Sequence, residues 1–186
     1  MRVFQTLALL ALVTMGACET RPALPILGDV PPFELISQDG AKFHGDSLHG
    51  HVWVADFIFT NCPGPCLRMS TLLGRVQKAT EAFPDVRLVS FSVDPARDTP
   101  SALAQFASKY HADPARWTFL TGPQPTLQML SRDAFKLGDV DGSLNHQTRF
   151  VLVDAKGRIR GYYRTDEGDP VAKVAADARR LRKKSN

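Results

Sequence analysis

No apolar run of about 18 residues occurs anywhere in the chain, which rules out an ordinary transmembrane helix. Cysteine is scarce: three in 186 residues cannot knit a disulfide scaffold. A chain of this length buries about 70% of its unfolded surface, so its core needs no such staples. Internal repeats and low-complexity blocks are absent, and 44% hydrophobic with 23% charged residues describes one globular domain. An excess of charge is also missing once its position is considered. The formal net charge is +4, but Arg179, Arg180, Arg182, Lys183 and Lys184 crowd the C-terminus. Taking those five and Arg2 from the 23 basic residues leaves 17 against 19 acidic ones, so the body offers no basic face and no nucleic-acid contact is expected. The basic end reads as the last turn of a helix, where cations complement the backbone dipole, with anionic lipid or an acidic partner as the lesser alternative.

The amino terminus carries an address. Basic Arg2 is followed by an apolar stretch over 7–13, then small residues and Cys18, which is the build of an export signal. Met15-Gly16-Ala17-Cys18 resembles a bacterial lipoprotein signal, in which the cysteine is acylated and becomes the first residue of the mature protein. Plain secretion or an uncleaved anchor are the alternatives. Residues 1–17 are therefore expected to be a signal peptide, 18–30 a polar, proline-rich tether, and 31–186 the functional domain. The expected location is the periplasmic face of a bacterial membrane, lipid-anchored through Cys18, in a compartment where thiols and disulfides interconvert.

Residues 52–59 form a nearly unbroken apolar run, expected of a parallel strand buried on both faces. Gly64 and two prolines make 60–65 a loop. From Cys66, apolar residues recur at Leu72, Leu73, Val76, Ala79 and Phe83, a helical spacing. A second strand is expected over 86–93. Thr99-Pro100 carries the cap and first-turn signature of a helix reaching about Tyr110. A short strand over 117–120 and a helix over 126–135 follow. Strands at 148–154 and 158–164 flank the turn Asp154-Ala155-Lys156-Gly157, and Asp169-Pro170 opens a last helix. That order predicts an α/β thioredoxin-like fold, a central mixed sheet flanked by helices.

Cys62 and Cys66 then fall where the first buried strand meets the first helix. Amides at a helix N-terminus favour thiolate, so both sulfurs are expected to be nucleophilic and good metal ligands. Two cysteines four apart either close a disulfide or pinch one metal ion, and the spacing alone does not choose.

Three ordered segments sharpen the choice: Asp56-Phe57-Ile58-Phe59-Thr60-Asn61-Cys62-Pro63-Gly64-Pro65-Cys66, Ser92-Val93-Asp94-Pro95-Ala96-Arg97-Asp98-Thr99-Pro100, and His146 ahead of Phe150-Val151-Leu152-Val153-Asp154. Together they resemble the Sco/SenC family, from about Phe33 to the final helix. The resemblance implies a thioredoxin-like copper-binding protein outside the cytoplasm that assists assembly of the binuclear copper site of cytochrome c oxidase. It implies Cys62 and Cys66 as sulfur ligands of copper and His146 as the nitrogen ligand, with Asp94 and Asp98 as secondary residues in copper handling and partner contact. The expected partner is the oxidase's copper-site subunit or another periplasmic copper carrier, with the chain acting as a monomer. Thiolates select Cu(I), and an imidazole lets the same site hold Cu(II).

Two departures bear on affinity and redox poise. Leu67 stands where many members have proline, and Asn145 where an acidic residue commonly precedes the ligand histidine, which removes a carboxylate that would orient the imidazole. The main rival is an enzyme, a thiol:disulfide oxidoreductase with Cys62 and Cys66 as its catalytic pair. Against a thioredoxin proper, three residues and not two separate the cysteines, and no proline occurs between Lys136 and Phe150 to face them. A peroxidase is a third reading, weakened because the proline expected upstream of Thr60 is missing. Met69, three beyond Cys66, reads as helix packing, and His44, His49, His51 and His111 as surface or strand-end residues.

Overall fold

The computed structural model describes residues 22–62, 64–138 and 148–182. The signal segment, Cys18, His146, Lys183 and Lys184 lie outside the described residues. Along the chain run β1 (Gly28–Asp29), β2 (Glu34–Ser37), β3 (Lys42–His44), β4 (Trp53–Ile58), α1 (Pro65–Ala79), β5 (Arg87–Ser92), α2 (Pro100–Lys109), β6 (Trp117–Thr121), α3 (Gln124–Gln128), β7 (Arg149–Val153), β8 (Arg158–Arg164) and α4 (Pro170–Arg182). Among the described residues the strands make one mixed sheet in the order β1-β8-β7-β4-β5-β6-β2-β3.

Its centre is the parallel set β4–β5–β6, with Phe57 opposite Phe91 and Phe91 opposite Leu120. Every residue of β4 is buried, as its continuous apolar run requires of a strand covered on both faces. On one side of the ladder Trp53, Phe57, Phe91 and Phe135 pack edge-on and stacked, with centroids 5.0–6.5 Å apart. β7 returns antiparallel to β4, pairing Ala55 with Val151. It continues into β8 through a tight turn in which Asp154 Oδ1 accepts from the amides of Lys156 and Arg158, while Gly157 takes a φ of 75° that suits glycine.

Three features differ from the sequence expectation. The periodicity that extends to Phe83 outlasts the helix: α1 stops at Ala79, where Thr80 turns its hydroxyl back onto the Val76 carbonyl at 2.8 Å. Phe83 lies beyond the helix, partly buried against the core, with Arg179 and Arg182 over its ring at 5.6 and 5.0 Å. The helix expected over 126–135 is α3 followed by a wider π-type turn, Met129–Ala134, which seats Phe135 in the aromatic cluster. The hairpin β2–β3 extends the sheet beside β6, pairing Ile36 with Thr121, and the segment expected as a tether ends inside the sheet, since Gly28 and Asp29 pair with Ile159 and Arg158.

Candidate functional site

Parallel strands end their turns at one edge, and that edge collects the chemistry. β4 ends at Ile58 and leads to Cys62; β5 ends at Ser92 and leads to Asp94 and Asp98. Antiparallel β7 starts at Arg149 on the same edge, by the register Ala55↔Val151; His146, three residues earlier, lies outside the described residues.

Gly64 caps α1 and Pro65 opens it, a position where the missing proline N–H costs nothing. Cys66 is thereby placed in the first turn, and its backbone N–H donates to Cys62 Sγ at 3.3 Å. Both residues are thiols without a disulfide. Cys62 keeps 6% of its surface and Cys66 none, so a ligand or a client sulfur meets Cys62 first. Burial pushes the Cys66 thiol well above the ordinary range, and its hydrogen bond to Cys62 and the Asp56 carboxylate push the same way, against a backbone hydrogen bond at Phe59. The expectation that helix amides make both sulfurs thiolate-prone therefore fails for Cys66: desolvation at a fully buried position outweighs the dipole.

Asp56 sits in the middle of β4, fully buried. Its Oδ1 accepts from Ser90 Oγ at 2.6 Å, and Ser90 accepts in turn from Trp117 Nε1 at 2.9 Å. Among the described residues its Oδ2 has no hydrogen-bond partner. Burial raises the carboxyl to about 7, the Ser90 hydrogen bond opposing.

Asp94 and Asp98 take different places. Asp94 is half-buried, paired with Arg97 Nη1 at 2.5 Å, and its carbonyl accepts from the Arg97 and Asp98 amides. Asp98 is 1% exposed. Its Oδ1 accepts from both the amide and the hydroxyl of Thr60, at 3.1 and 2.6 Å, and its Oδ2 from Ser92 Oγ at 2.6 Å. A second tie runs from α1: Arg68 Nη2 donates to the Thr165 carbonyl at 2.8 Å, and the Thr165 hydroxyl and amide both donate to the Thr148 carbonyl at 3.0 Å. Met69 is buried in the core, as its helical position suggested.

Asp56, Thr60, Arg68 and Thr165 were not singled out by pattern. For Asp56 a signal existed, a carboxylate inside an apolar strand, which is costly to bury and flags a special environment. The ties to Thr60 and Thr165 span 38 and 97 residues, and no local pattern encodes them.

Among the described residues no three His, Cys, Asp or Glu side chains group closely enough to hold a metal. The cysteines supply two soft donors, so a third His, Cys, Asp or Glu donor would have to come from outside those residues or from a partner. Among the described residues no helix is long and apolar enough to cross a membrane.

Residues 28–183 match the SCO1/SenC family. The chain is similar to a SCO1/SenC family lipoprotein from Bacillus anthracis, 38% identical with a TM-score of 0.76, covering 83% of this chain and 95% of that one. It is similar to BsSco, a member of the Sco family of cytochrome c oxidase assembly proteins in which a disulfide switch has been identified, at 36% identity and a TM-score of 0.77 over 86% of this chain and 97% of that one. Bradyrhizobium japonicum ScoI, solved with copper bound, is 25% identical with a TM-score of 0.67, over 82% and 99%. With a thioredoxin-like sheet, a cysteine pair at the strand–helix junction and the family's pattern matched across nearly all the described chain, the protein belongs to the SCO1/SenC family.

Proposed function

We propose that this chain is an extracytoplasmic copper chaperone. In this reading Cys62, Cys66 and His146 hold one copper ion and pass it to the copper-site subunit of cytochrome c oxidase or to another periplasmic copper carrier. The protein works at the periplasmic face of a bacterial membrane, anchored through an acylated Cys18. The observation that carries the reading is the cysteine geometry in a member of this family: two free, buried thiols at the strand–helix junction, Cys62 slightly the less covered, linked by the Cys66 amide. Two thiols favour Cu(I) by softness, and two sulfurs with one nitrogen leave a coordination position open for a receiving ligand. The start of β7 at the cysteine edge supports His146 as the nitrogen donor. The copper-bound relative supports the cargo.

Anaerobic titration of the reduced protein with Cu(I) against a competing chelator tests the proposal, followed by the Cu(II) absorption spectrum. One tight equivalent per chain, with a thiolate-to-copper band lost in Cys62→Ala and Cys66→Ala, is the expected result. Undiminished retention in His146→Ala would remove that residue from the ligand set. Thiol:disulfide exchange on client cysteines is the second reading, favoured by the residual exposure of Cys62 beside a fully covered Cys66 and by the disulfide switch of BsSco. Weak, non-stoichiometric copper binding with rapid reduction of a test disulfide would select it.

A further inference from the structure

We propose that Asp98 is a positioning residue that sets the copper site through Thr60, and that it contributes no ligand atom to the metal. The inference rests on the copper reading above. Asp98 is 1% exposed, and both of its oxygens are engaged by three donors of this chain: two from Thr60 on Oδ1 and one from Ser92 on Oδ2.

The carboxylate is itself held from two sides. The Asp98 amide donates to the Asp94 carbonyl at 2.9 Å. The next residue, Thr99, caps α2 by accepting from the Ala102 amide at 3.2 Å. Ser92 Oγ, at the end of β5, also accepts from the Asp94 amide at 3.0 Å. The loop after β5 and the start of α2 thus make a fixed mount for one carboxylate, aimed at Thr60.

Thr60 stands two residues before Cys62. A carboxylate that takes only a hydroxyl leaves the backbone free to turn about it; one that takes the amide and the hydroxyl of the same residue fixes both the position and the rotation of that peptide. Charge-assisted contacts of this kind are stronger than neutral ones. What they fix is the departure angle of the segment to Cys62, whose sulfur must meet the Cys66 amide. Asp98 therefore stands to Cys62 as an outer partner stands to a metal ligand, and loss of such partners typically costs about 10- to 100-fold in affinity.

The test compares the wild type with Thr60→Val, Thr60→Ser, Asp98→Ala and, as a destabilised control away from the brace, Asp154→Ala in the full chain. Cu(I) affinity by chelator competition, the energy of the Cu(II)–thiolate band and urea stability are measured on each. Thr60→Val and Asp98→Ala should lose about tenfold or more in affinity and shift the band, Thr60→Ser should restore both, and the double variant should lose no more than either single one. Asp154→Ala removes the ion pairs to Arg158 and Arg160 at the β7–β8 turn, at the opposite end of β4 from the cysteines, so it should lower stability while leaving band and affinity near wild type. Equal copper loss in Asp154→Ala and Thr60→Val at equal destabilisation would overturn the proposal, as would an unmoved band in Thr60→Val. If the wild type takes no stoichiometric copper, the copper reading fails by itself. The brace is then read from the iodoacetamide alkylation rate of Cys62 by peptide mapping: a severalfold difference between Thr60→Val and Thr60→Ser supports it, and equal rates refute it.

Discussion

Asp56→Asn should flatten the pH dependence of stability in a defined window. The carboxyl belongs to a fully buried side chain whose folded pKa stands at about 7, against 3.8 for an ordinary aspartate. Because the folded value is raised, the unfolded chain releases the proton first as pH climbs. Between about pH 4 and pH 7 the folded state holds one proton more than the unfolded state, and stability falls by about 1.4 kcal/mol per pH unit. Above the folded value both states are ionised and the loss levels off. From pH 5 to pH 8 the wild type should lose about 2.5 kcal/mol through this one group. An asparagine keeps an oxygen for Ser90 and carries no proton to lose. Its amide, like Oδ2, finds no hydrogen-bond partner among the described residues, a cost of about 1–3 kcal/mol that does not vary with pH. Urea unfolding of the reduced, metal-free proteins at pH 5, 6, 7 and 8 and fixed ionic strength reads the difference between the two chains, which cancels every other titrating group. Parallel stability profiles for wild type and Asp56→Asn would refute the reasoning.

Other positions give sharper structural readouts. Asp154 accepts from Arg158 Nε and Arg160 Nη1 at 2.9 and 2.6 Å, and Arg160 is only 11% exposed, so Asp154→Ala should cost about 3 kcal/mol in urea unfolding by leaving a buried cation unpaired. Burial raises the Asp154 carboxyl, but Arg158 and Arg160 together hold it below the usual range; its stabilisation is thus present above about pH 4 and lost as pH falls through its folded value, and the variant should show a shallower acid transition. Phe135, fully buried against Trp53, Phe57 and Phe91, should cost about 3–5 kcal/mol on change to alanine, read as a lower urea midpoint at unchanged slope. Phe83→Ala should cost far less, since its ring is half-buried beneath Arg179 and Arg182, and a loss as large as that of Phe135→Ala would contradict this packing.

The central part of the fold was legible because its elements announce themselves locally. An apolar run marks β4, Thr99-Pro100 marks the start of α2, and Asp154 to Gly157 marks the turn between β7 and β8. The short strands β1, β2 and β3 were not read, since strands of two to four residues carry too few alternations to show a period of two. Their pairing is decided by β6 and β8, which lie far along the chain. The cysteine pair was legible for the same reason as the turns, because glycine and proline mark its loop. Asp98 was visible as part of a motif, but its role was not: the sequence shows a carboxylate four residues from Asp94, and only the fold brings Thr60 against it.

Burial also separates the two sulfurs in a way that spacing could not. Cys66 is fully covered and its thiol pushed up by burial, whereas Cys62 keeps 6% of its surface and receives the Cys66 amide. An attack on a client disulfide must therefore begin at Cys62, which would form a mixed disulfide and release the client's other sulfur as thiolate; Cys66 can act only afterwards, displacing the client sulfur as the Cys62–Cys66 disulfide forms. A metal ion also meets Cys62 first, but its capture is complete only when both sulfurs bind and give up their protons. Cys66→Ala consequently divides the two readings. For a copper carrier it removes half of the sulfur ligands, and stoichiometric retention collapses. For an oxidoreductase it leaves the attacking sulfur intact and removes the one that resolves the intermediate, so the mixed disulfide with a client accumulates and can be isolated under non-reducing conditions.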